Sequence, residues 1–188
     1  MASSSSYNRS MFANPQEILE KFGISPGTIV ADLGAGTGHY ALAASKMVKG
    51  KDIDGKVYAI DVQKDLLDRL KNEANREQLT NLEIIWGNAE KVGGTKLRDD
   101  SVDVVIASNI FFQIEEKENF AKEIARILKS NGRLLFIDWS GASKGIGPHA
   151  NMVVTESQAK DFFEKNGFAV ERSVPAGSHH YGLVIRKK

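Results

Sequence analysis

The chain has 188 residues, 41% of them hydrophobic, and its 25 basic and 24 acidic side chains give a formal net charge of +1. This composition is typical of a globular protein, and the balanced charge predicts no general attraction to nucleic acid or anionic lipid. Because the chain contains no cysteine, disulfides, thiolate metal sites and cysteine nucleophiles are excluded. No apolar run approaches the roughly 20 residues that span a bilayer, and no apolar leader is recognisable, so the expected location is cytoplasmic.

The first ten residues and the remainder of the chain have different characters. Residues 1–10 are polar and serine-rich and are expected to be flexible. Residues 11–188 are expected to form a single domain, because no repeat or linker interrupts them. A helix is predicted to begin with Asn14 as N-cap and Pro15 at its first position, and to end at Gly23.

Strand-like and helix-like patterns then alternate along the chain. This alternation predicts an α/β fold with a doubly wound, mostly parallel sheet and helices on both faces. The last two strands are separated by a short Pro/Gly loop, which predicts a hairpin and therefore one antiparallel strand. The predicted strands are residues 28–33, 56–61, 82–86, 102–108, 133–138, 169–174 and 181–186. The predicted helices are residues 39–48, 64–75 and 116–128, and one opened by the capping pair Thr155 and Gln158; Ser130-Asn131-Gly132 is a predicted turn.

Ligands of such sheets bind beyond the carboxyl ends of the strands, and the first predicted strand ends in the run DLGAGTG. Three glycines at alternate positions permit a tight turn and close approach to a ligand, and the following helix offers free amides. The dinucleotide fingerprint requires glycine where His39 stands, which leaves a nicotinamide dehydrogenase as a runner-up on fold alone. Asp32 is poorly suited to a pyrophosphate and well suited to a cationic amino-acid group.

Polar side chains also follow the next three predicted strands. Asp61 can accept both hydroxyls of a ribose, and Val62 can lie against a purine. Asn88 can read an adenine edge, because its amide both donates and accepts. Ser108 and Asn109 follow the fourth strand. These positions predict a nucleoside site along one edge of the sheet.

The ordered series DLGAGTG, YAID, GNAE, VDVVIASN and ILKSNGRLLFIDW resembles the motif series of class I S-adenosylmethionine-dependent methyltransferases. It is most similar to the UbiE-like branch, whose members methylate quinone precursors and other small molecules. The resemblance covers residues 12–188. It implies a Rossmann-like, seven-stranded sheet of order 3-2-1-4-5-7-6 with strand 7 antiparallel, S-adenosylmethionine as cofactor and S-adenosylhomocysteine as product.

The resemblance also implies which residues bind the cofactor. The methionine end would lie at the glycine-rich loop, the ribose at the second strand, the adenine at the third and the sulfonium beside the fourth. The implied cofactor-binding residues are Asp32, Gly34, Ala35, Gly36, Thr37, Gly38, Tyr40, Asp61, Val62, Gln63, Gly87, Asn88, Ala89, Glu90, Ser108 and Asn109.

The methyl acceptor is expected beyond the fourth and fifth strands, near the start of the antiparallel last strand. The candidate acceptor contacts are Phe12, Phe111, Phe112, Gln113, Trp139 and Tyr181. The candidate bases, for an acceptor that must lose a proton, are His149, His180 and Asp138. No metal is predicted, because no spacing of these histidines enforces a site. Tyr7, Arg9 and Phe12 are expected to close over the cofactor.

The preferred function is methyl transfer to a small, apolar or aromatic acceptor by in-line displacement, in which good orientation contributes roughly 7–11 kcal/mol. An RNA or protein acceptor is one alternative, and a non-catalytic S-adenosylmethionine-binding module is another. The lack of a basic, aromatic-rich surface counts against RNA. The absence of cysteine disfavours arsenite as acceptor. Either a monomer or a homodimer is compatible with the sequence.

Overall fold

The computed structural model describes residues 14–141 and 147–188. The predictions for Tyr7, Arg9 and Phe12, and for the flexibility of residues 1–10, concern residues outside these ranges. Within them no helix is long and apolar enough to cross a membrane. The helices are α1 (Pro15–Phe22), α2 (His39–Met47), α3 (Lys64–Arg76), α4 (Lys117–Ile127) and α5 (Glu156–Lys165). The strands are β1 (Ile29–Leu33), β2 (Lys56–Asp61), β3 (Leu82–Trp86), β4 (Val102–Ser108), β5 (Leu128–Trp139), β6 (Phe168–Pro175) and β7 (His180–Lys187).

All seven strands form one sheet in the order β3-β2-β1-β4-β5-β7-β6. Strands β1 to β5 pair in parallel, whereas β7 runs antiparallel to both β5 and β6. The predicted fold class, strand order and antiparallel seventh strand are therefore confirmed. Because β1 to β5 run in parallel, their carboxyl ends meet at one edge of the sheet, and β7 begins at that same edge.

Two hydrophobic cores lie on opposite faces of the sheet. One packs against α4 and α5 and contains Phe120, Phe163 and the β5 residues Leu134 and Phe136. The other packs against α1, α2 and α3, and its β5 residues are Leu135 and Ile137. Successive side chains of a strand point to opposite faces, so the β5 residues from Leu134 to Ile137 contribute alternately to the two cores.

The helix ends follow the sequence signals. The Asn14 side chain accepts a hydrogen bond from the Gln16 N–H at the start of α1, and Gly23 ends that helix with a left-handed φ of 91°. At α5 the side chains of Thr155 and Gln158 form the predicted capping box. These caps satisfy backbone groups that a helix end otherwise leaves without partners.

The predicted turn at Ser130-Asn131-Gly132 is instead part of β5, which begins at Leu128. The pairing with β4 shifts there: Val102 pairs with Leu128, and Val104 already pairs with Arg133. Asn131 has a positive φ of 63°, a conformation that asparagine tolerates better than most residues. The three residues therefore form a bulge that interrupts the pairing without ending the strand.

Candidate functional site

Three adjoining cavities open at the carboxyl edge of the sheet. We call them the β2 cavity, of about 160 Å³, the glycine-loop cavity, of about 330 Å³, and the α1 cavity, of about 350 Å³. Gly34 lines both the β2 cavity and the glycine-loop cavity. His39, Tyr40 and Asn109 line both the glycine-loop cavity and the α1 cavity. The three cavities therefore form one continuous site.

The residues proposed to bind the cofactor line the first two cavities, with one exception. The β2 cavity is lined by Gly34, Asp61, Val62, Gln63, Gly87, Asn88, Ala89 and Glu90. The glycine-loop cavity is lined by Asp32, Gly34, Ala35, Gly36, Thr37, Tyr40, Ser108 and Asn109. The exception, Gly38, is the N-cap of α2 and has a positive φ of 87°. A Cβ at Gly38 would lie 2.1 Å from a methyl carbon of Leu70 in α3, so the glycine allows the start of α2 to approach α3.

Gly34 keeps the passage between these two cavities open. Its φ is +70°, and a Cβ at this position would lie 2.2 Å from Cδ1 of Ile110. Any larger residue would therefore strain the backbone and collide with the side chain that forms the neighbouring wall. This close approach explains why the loop requires glycine here.

Asp32 is buried at the carboxyl end of β1, only 3% exposed. Burial raises the pKa of its carboxyl to about 7; a hydrogen bond from the Ala41 N–H acts against this, and the nearby Asp61 charge adds to it. A cation held beside Asp32 would favour the ionised form and lower this pKa again. The α-ammonium group of an amino acid has the required charge, so the glycine-loop cavity fits the methionine end of S-adenosylmethionine.

Asp61 is fixed at the end of β2 by two backbone groups. Its Oδ2 accepts a hydrogen bond of 2.8 Å from the Gly36 N–H, and its Oδ1 accepts one of 2.8 Å from the Gln63 N–H. Each carboxylate oxygen can accept more than one hydrogen bond. Asp61 is therefore held in one orientation and keeps acceptor capacity for two ribose hydroxyls.

The far wall of the β2 cavity is formed by the start of the β3–β4 loop. Asn88 Oδ1 accepts a 2.8 Å hydrogen bond from the Glu90 N–H. Glu90 turns its own carboxylate towards α4, where Oε2 accepts from the Glu115 and Glu116 N–H groups at 3.0 and 3.1 Å. Glu90 therefore lines the cavity, while its carboxylate accepts hydrogen bonds at the start of α4.

Tyr40 lies where the glycine-loop cavity meets the α1 cavity. Burial raises the pKa of its phenol, against a hydrogen bond with Ser108 and together with the Asp32 charge. The phenol therefore remains protonated at neutral pH. Tyr40 and Ser108 form a polar pair beside the passage between the two cavities.

His180 is the only one of the three proposed bases that lines the α1 cavity. Its ring lies 4.3 Å from the Trp139 ring, measured between centroids, and both residues are 7% exposed. Burial, with a smaller effect of the neighbouring His179, lowers the pKa of His180. Its imidazole is therefore neutral at neutral pH. His149 is exposed and lines none of the three cavities.

The structure does not bring Asp138 and Tyr181 together with His180. Asp138 pairs with Tyr181, whereas Trp139 pairs with His180, so the two pairs point to opposite faces of the sheet. Tyr181 belongs to the core against α4 and α5, and its hydroxyl donates to the Val154 carbonyl at 2.9 Å. Neither residue lines the α1 cavity, which corrects the expected grouping.

Asp138 is 1% exposed, and burial raises the pKa of its carboxyl to about 6. Hydrogen bonds from the backbone N–H groups of Trp139, Phe112 and Phe111 and the charge of Lys117 act against this rise. Asp138 therefore joins the end of β5 to the 3-10 turn Phe111–Gln113.

The aromatic residues after β4 also take positions that differ from the expected acceptor contacts. Phe111 is 1% exposed and lies among core rings, with centroids 5.3 Å from Phe136 and 5.1 Å from Phe162. Phe112 is half-buried and lines none of the three cavities. Gln113 lines the β2 cavity, on the cofactor side. The sequence places these residues near the site but does not indicate which way each side chain points.

Several residues of the site were not singled out from the sequence. His39 carried a signal, because it is the first residue of α2 directly after the glycine-rich loop. Pro15 and Ala176 carried none, since they come from α1 and from the β6–β7 loop and reach the α1 cavity only through the tertiary fold. The residues in this group are Pro15, His39, Ile137 and Ala176 in the α1 cavity, and Ile60, Leu66, Ile110 and Ile114 in the other two.

The sheet order defines a Rossmann-like fold, and the carboxylates at the carboxyl ends of β1 and β2 fit a nucleoside bearing a cationic amino acid. A family model described as "Methyltransferase domain" matches residues 24–177. A crystal structure of a SAM-dependent methyltransferase from Aquifex aeolicus is 31% identical, with a TM-score of 0.85 over 95% of this chain and 92% of that one. The chain therefore belongs to the S-adenosylmethionine-dependent methyltransferases, and S-adenosylmethionine is its cofactor.

Curated proteins similar to this chain include UbiE-like enzymes, as the motif series implied. The ubiquinone/menaquinone biosynthesis C-methyltransferase UbiE of Hydrogenovibrio crunogenus is 32% identical over 126 residues, 65% of this chain and 46% of that protein. The uncharacterised methyltransferase YcgJ of Bacillus subtilis is 29% identical over 109 residues, 58% of this chain and 40% of that protein. The matched region covers less than half the length of each of these relatives.

Proposed function

We propose that this chain transfers the methyl group of S-adenosylmethionine to a small, uncharged acceptor bound in the α1 cavity. The observation that carries the proposal is that His39, Tyr40 and Asn109 line both the α1 cavity and the glycine-loop cavity. An acceptor in the α1 cavity therefore shares a wall with the cofactor. Among residues 14–141 and 147–188, no lysine, arginine, aspartate or glutamate lines the α1 cavity, which favours a neutral molecule.

In this proposal each part of the cofactor has a partner of matching chemistry. Asp32 and the first amides of α2 bind the ammonium and carboxylate of the methionine end. Asp61 accepts hydrogen bonds from the ribose. Asn88 and Ala89 border the adenine, and Val62, whose side chain is 54% exposed, lies free to cover it. The cofactor supplies a methyl group made electrophilic by a positively charged sulfur.

The protein's main contribution is orientation. Holding the acceptor against the methyl group in line with the breaking bond lowers the barrier by roughly 7–11 kcal/mol. Tyr40 and Ser108 border the passage where the two reactants meet. Ile137 and Ala176, from β5 and the β6–β7 loop, give the α1 cavity apolar walls that favour an apolar or aromatic acceptor and exclude water.

His180 is the residue we propose as general base. An acceptor oxygen or carbon that takes the methyl group must release one proton, and a neutral imidazole can accept it. Burial keeps His180 neutral, and its position in the α1 cavity puts it next to a bound acceptor. His149, in contrast, is exposed and lines none of the three cavities.

Methyl transfer from S-adenosylmethionine labelled in its methyl group tests the proposal. The purified chain is incubated with a cell extract divided into small-molecule, RNA and protein fractions. Label in the small-molecule fraction supports the proposal, whereas label confined to RNA or protein rejects a small acceptor. Binding of S-adenosylhomocysteine in calorimetry with no transfer to any fraction would indicate a non-catalytic binding module. Asp61→Ala serves as the variant expected to lose cofactor affinity.

A further inference from the structure

The β3–β4 loop, which provides the adenine-side wall of the β2 cavity, is folded back on itself. The Asn88 N–H donates to the Gly94 carbonyl at 3.0 Å, and the Gly94 N–H donates to the Lys91 carbonyl at 2.8 Å. A Cβ at Gly94 would lie 2.1 Å from the Asn88 carbonyl oxygen. Residues 93–95, which we call the backing segment, therefore lie directly behind Asn88. A shift of this segment moves the wall of the cavity.

The backing segment is held mainly by the α4 side chain of Glu123, which is 0% exposed, and Arg126 adds a longer hydrogen bond of 3.4 Å to the Thr95 hydroxyl. Glu123 Oε2 accepts a hydrogen bond of 2.7 Å from the Gly93 N–H. Its Oε1 accepts from the N–H and the hydroxyl of Thr95, at 3.1 and 2.5 Å. The Arg126 guanidinium completes the set with two bonds of 2.8 Å. The carboxylate is thus fully buried and fully satisfied.

The charge of Glu123 is retained despite this burial. Burial alone would raise its pKa, but the hydrogen bonds from Arg126, Thr95 and Gly93 outweigh it and hold the pKa below its usual value. Hydrogen bonds to an ionised acceptor are roughly twice as strong as neutral ones. Arg126 extends the contact along the loop, donating to the Leu97 carbonyl at 2.9 Å and to Asp99 at 2.6 Å.

A second carboxylate makes the reverse connection. Glu90, in the loop, accepts hydrogen bonds from the Glu115 and Glu116 N–H groups directly before α4. The loop and α4 are therefore joined at two places. Glu90 of the loop binds the residues directly before α4, and Glu123 of α4 binds the backing segment of the loop. Asn88 and Ala89 lie on the part of the loop between these connections and the sheet.

We propose that Glu123 is a positioning residue for the cofactor: by fixing the backing segment, it holds Asn88 and Ala89 where they can contact adenine. The inference rests on the proposed function, since it assumes that the β2 cavity receives the adenosine part of S-adenosylmethionine. Glu123 lines none of the three cavities of the site. It acts through the loop, and its effect belongs to binding and not to the chemical step.

The test is the affinity of a Glu123→Gln variant, which keeps the size of the side chain and removes its charge. Calorimetry is carried out with S-adenosylhomocysteine and with 5′-methylthioadenosine, which has the adenosine part and lacks the amino acid. If the wall is correctly placed in only a tenth of the molecules, affinity falls about tenfold. We expect this loss for both ligands, and a raised KM for S-adenosylmethionine with kcat little changed.

Asp103→Asn is the control for removing the charge of a carboxylate that accepts a backbone hydrogen bond. Asp103 also accepts a backbone hydrogen bond, from the Ile29 N–H at 2.9 Å, and pairs with Lys129 at 2.8 Å. It lies at the opposite, amino-terminal end of the parallel strands. We expect this variant to lower the melting temperature, while its affinity for both ligands stays within twofold of the wild type.

Each result of these affinity measurements either supports the positioning role of Glu123 or overturns it. Unchanged affinity of folded Glu123→Gln for both ligands overturns the inference and leaves Glu123 a purely stabilising residue. If Glu123→Gln does not fold, Thr95→Val, which removes one hydrogen bond to the same carboxylate, replaces it, with an expected loss of about threefold that follows from a smaller displacement of the wall. A wild-type protein that binds neither ligand rejects the proposed function itself.

Discussion

The proposed cofactor side of the site (the β2 and glycine-loop cavities) and the proposed acceptor side (the α1 cavity) lie at the same edge of one sheet, but they are built in different ways. On the cofactor side, Asp32 is the penultimate residue of β1, Asp61 is the last residue of β2, and Asn88 follows β3 by two residues. On the acceptor side, Pro15 and His180 are 165 positions apart in the sequence and meet only through the fold. One side is therefore determined by local chain order, and the other by tertiary packing.

This difference explains how the two sides can vary independently. The cofactor side depends on a glycine-rich turn and on carboxylates at strand ends, so a change there alters cofactor binding for any acceptor. The acceptor side uses a helix, an antiparallel strand and a loop, and loops carried on a rigid sheet accept substitution easily. Substitutions should accordingly separate the two sides into distinct experimental effects.

The largest separation is expected for His180→Gln. Removing a general base lowers kcat by about 10²- to 10⁴-fold, while affinity for S-adenosylhomocysteine remains that of the wild type because His180 lines only the α1 cavity. Single-turnover transfer to the metabolite fraction that accepts label measures the first effect, and calorimetry measures the second. The same substitution at the exposed His149 should leave both unchanged. If kcat falls in His149→Gln and is unchanged in His180→Gln, the general base is His149 and the proposal for His180 is wrong.

The next largest effect concerns the stability of the cofactor-free protein. Burial raises the pKa of Asp32 to about 7 and that of Asp138 to about 6, both above the value of about 3.9 in an unfolded chain. Between pH 4 and pH 7 the folded state therefore binds more protons than the unfolded state. The two carboxyls therefore contribute to the free energy of unfolding at low pH. This contribution is lost as the pH rises, by roughly 2–4 kcal/mol between pH 5 and pH 8.

Urea unfolding of the wild type and of the double variant Asp32→Asn, Asp138→Asn isolates this contribution. The depressed pKa of His180 acts in the opposite direction in both proteins, so the difference between them reports the two carboxyls alone. We expect the free energy of unfolding of the double variant, measured relative to that of the wild type, to be higher at pH 8 than at pH 5. A difference that does not change with pH would show that neither carboxyl has a raised pKa in the folded protein.

The α/β class and the antiparallel last strand could be predicted from local patterns, whereas the order of the strands followed from the resemblance of the motif series to a known family. The residues proposed for the cofactor side also follow from local patterns at the strand ends. Asp61 is the last residue of β2, and the pattern of that strand alone predicts this position. Asp138 and His180 could not be placed in this way. Whether a residue of β5 or β7 faces α1 or α4 depends on register and on side-chain alternation, and a shift of one residue would exchange the two. Phe111 illustrates the same problem, since an aromatic side chain after a strand serves equally well in a pocket or in the core.

A smaller effect distinguishes the two buried carboxyls by ligand binding. Asp32→Asn should weaken S-adenosylhomocysteine binding by about 10- to 100-fold, since hydrogen bonds to charged groups contribute about 1.5–3 kcal/mol. Asp138→Asn is the matched variant, because Asp138 is buried to a similar degree but faces α4 and α5. Calorimetry at pH 8 should show unchanged affinity for this variant. Equal losses in both would contradict the separation of the two faces.

The smallest effect is expected where Phe111 and Phe112 are compared. Phe111 lies among core rings at centroid distances of 5.1 to 6.2 Å, so Phe111→Leu should lower the free energy of unfolding by about 1 kcal/mol. Phe112→Leu, at a half-buried position, should change it by less than about 0.5 kcal/mol. Urea unfolding measures both values, and methyl transfer per folded molecule should remain unchanged in the Phe111 variant. A residue that only packs in the core affects turnover through the amount of folded protein. A fall in methyl transfer for Phe111→Leu without a loss of stability would therefore indicate that this ring contacts the acceptor.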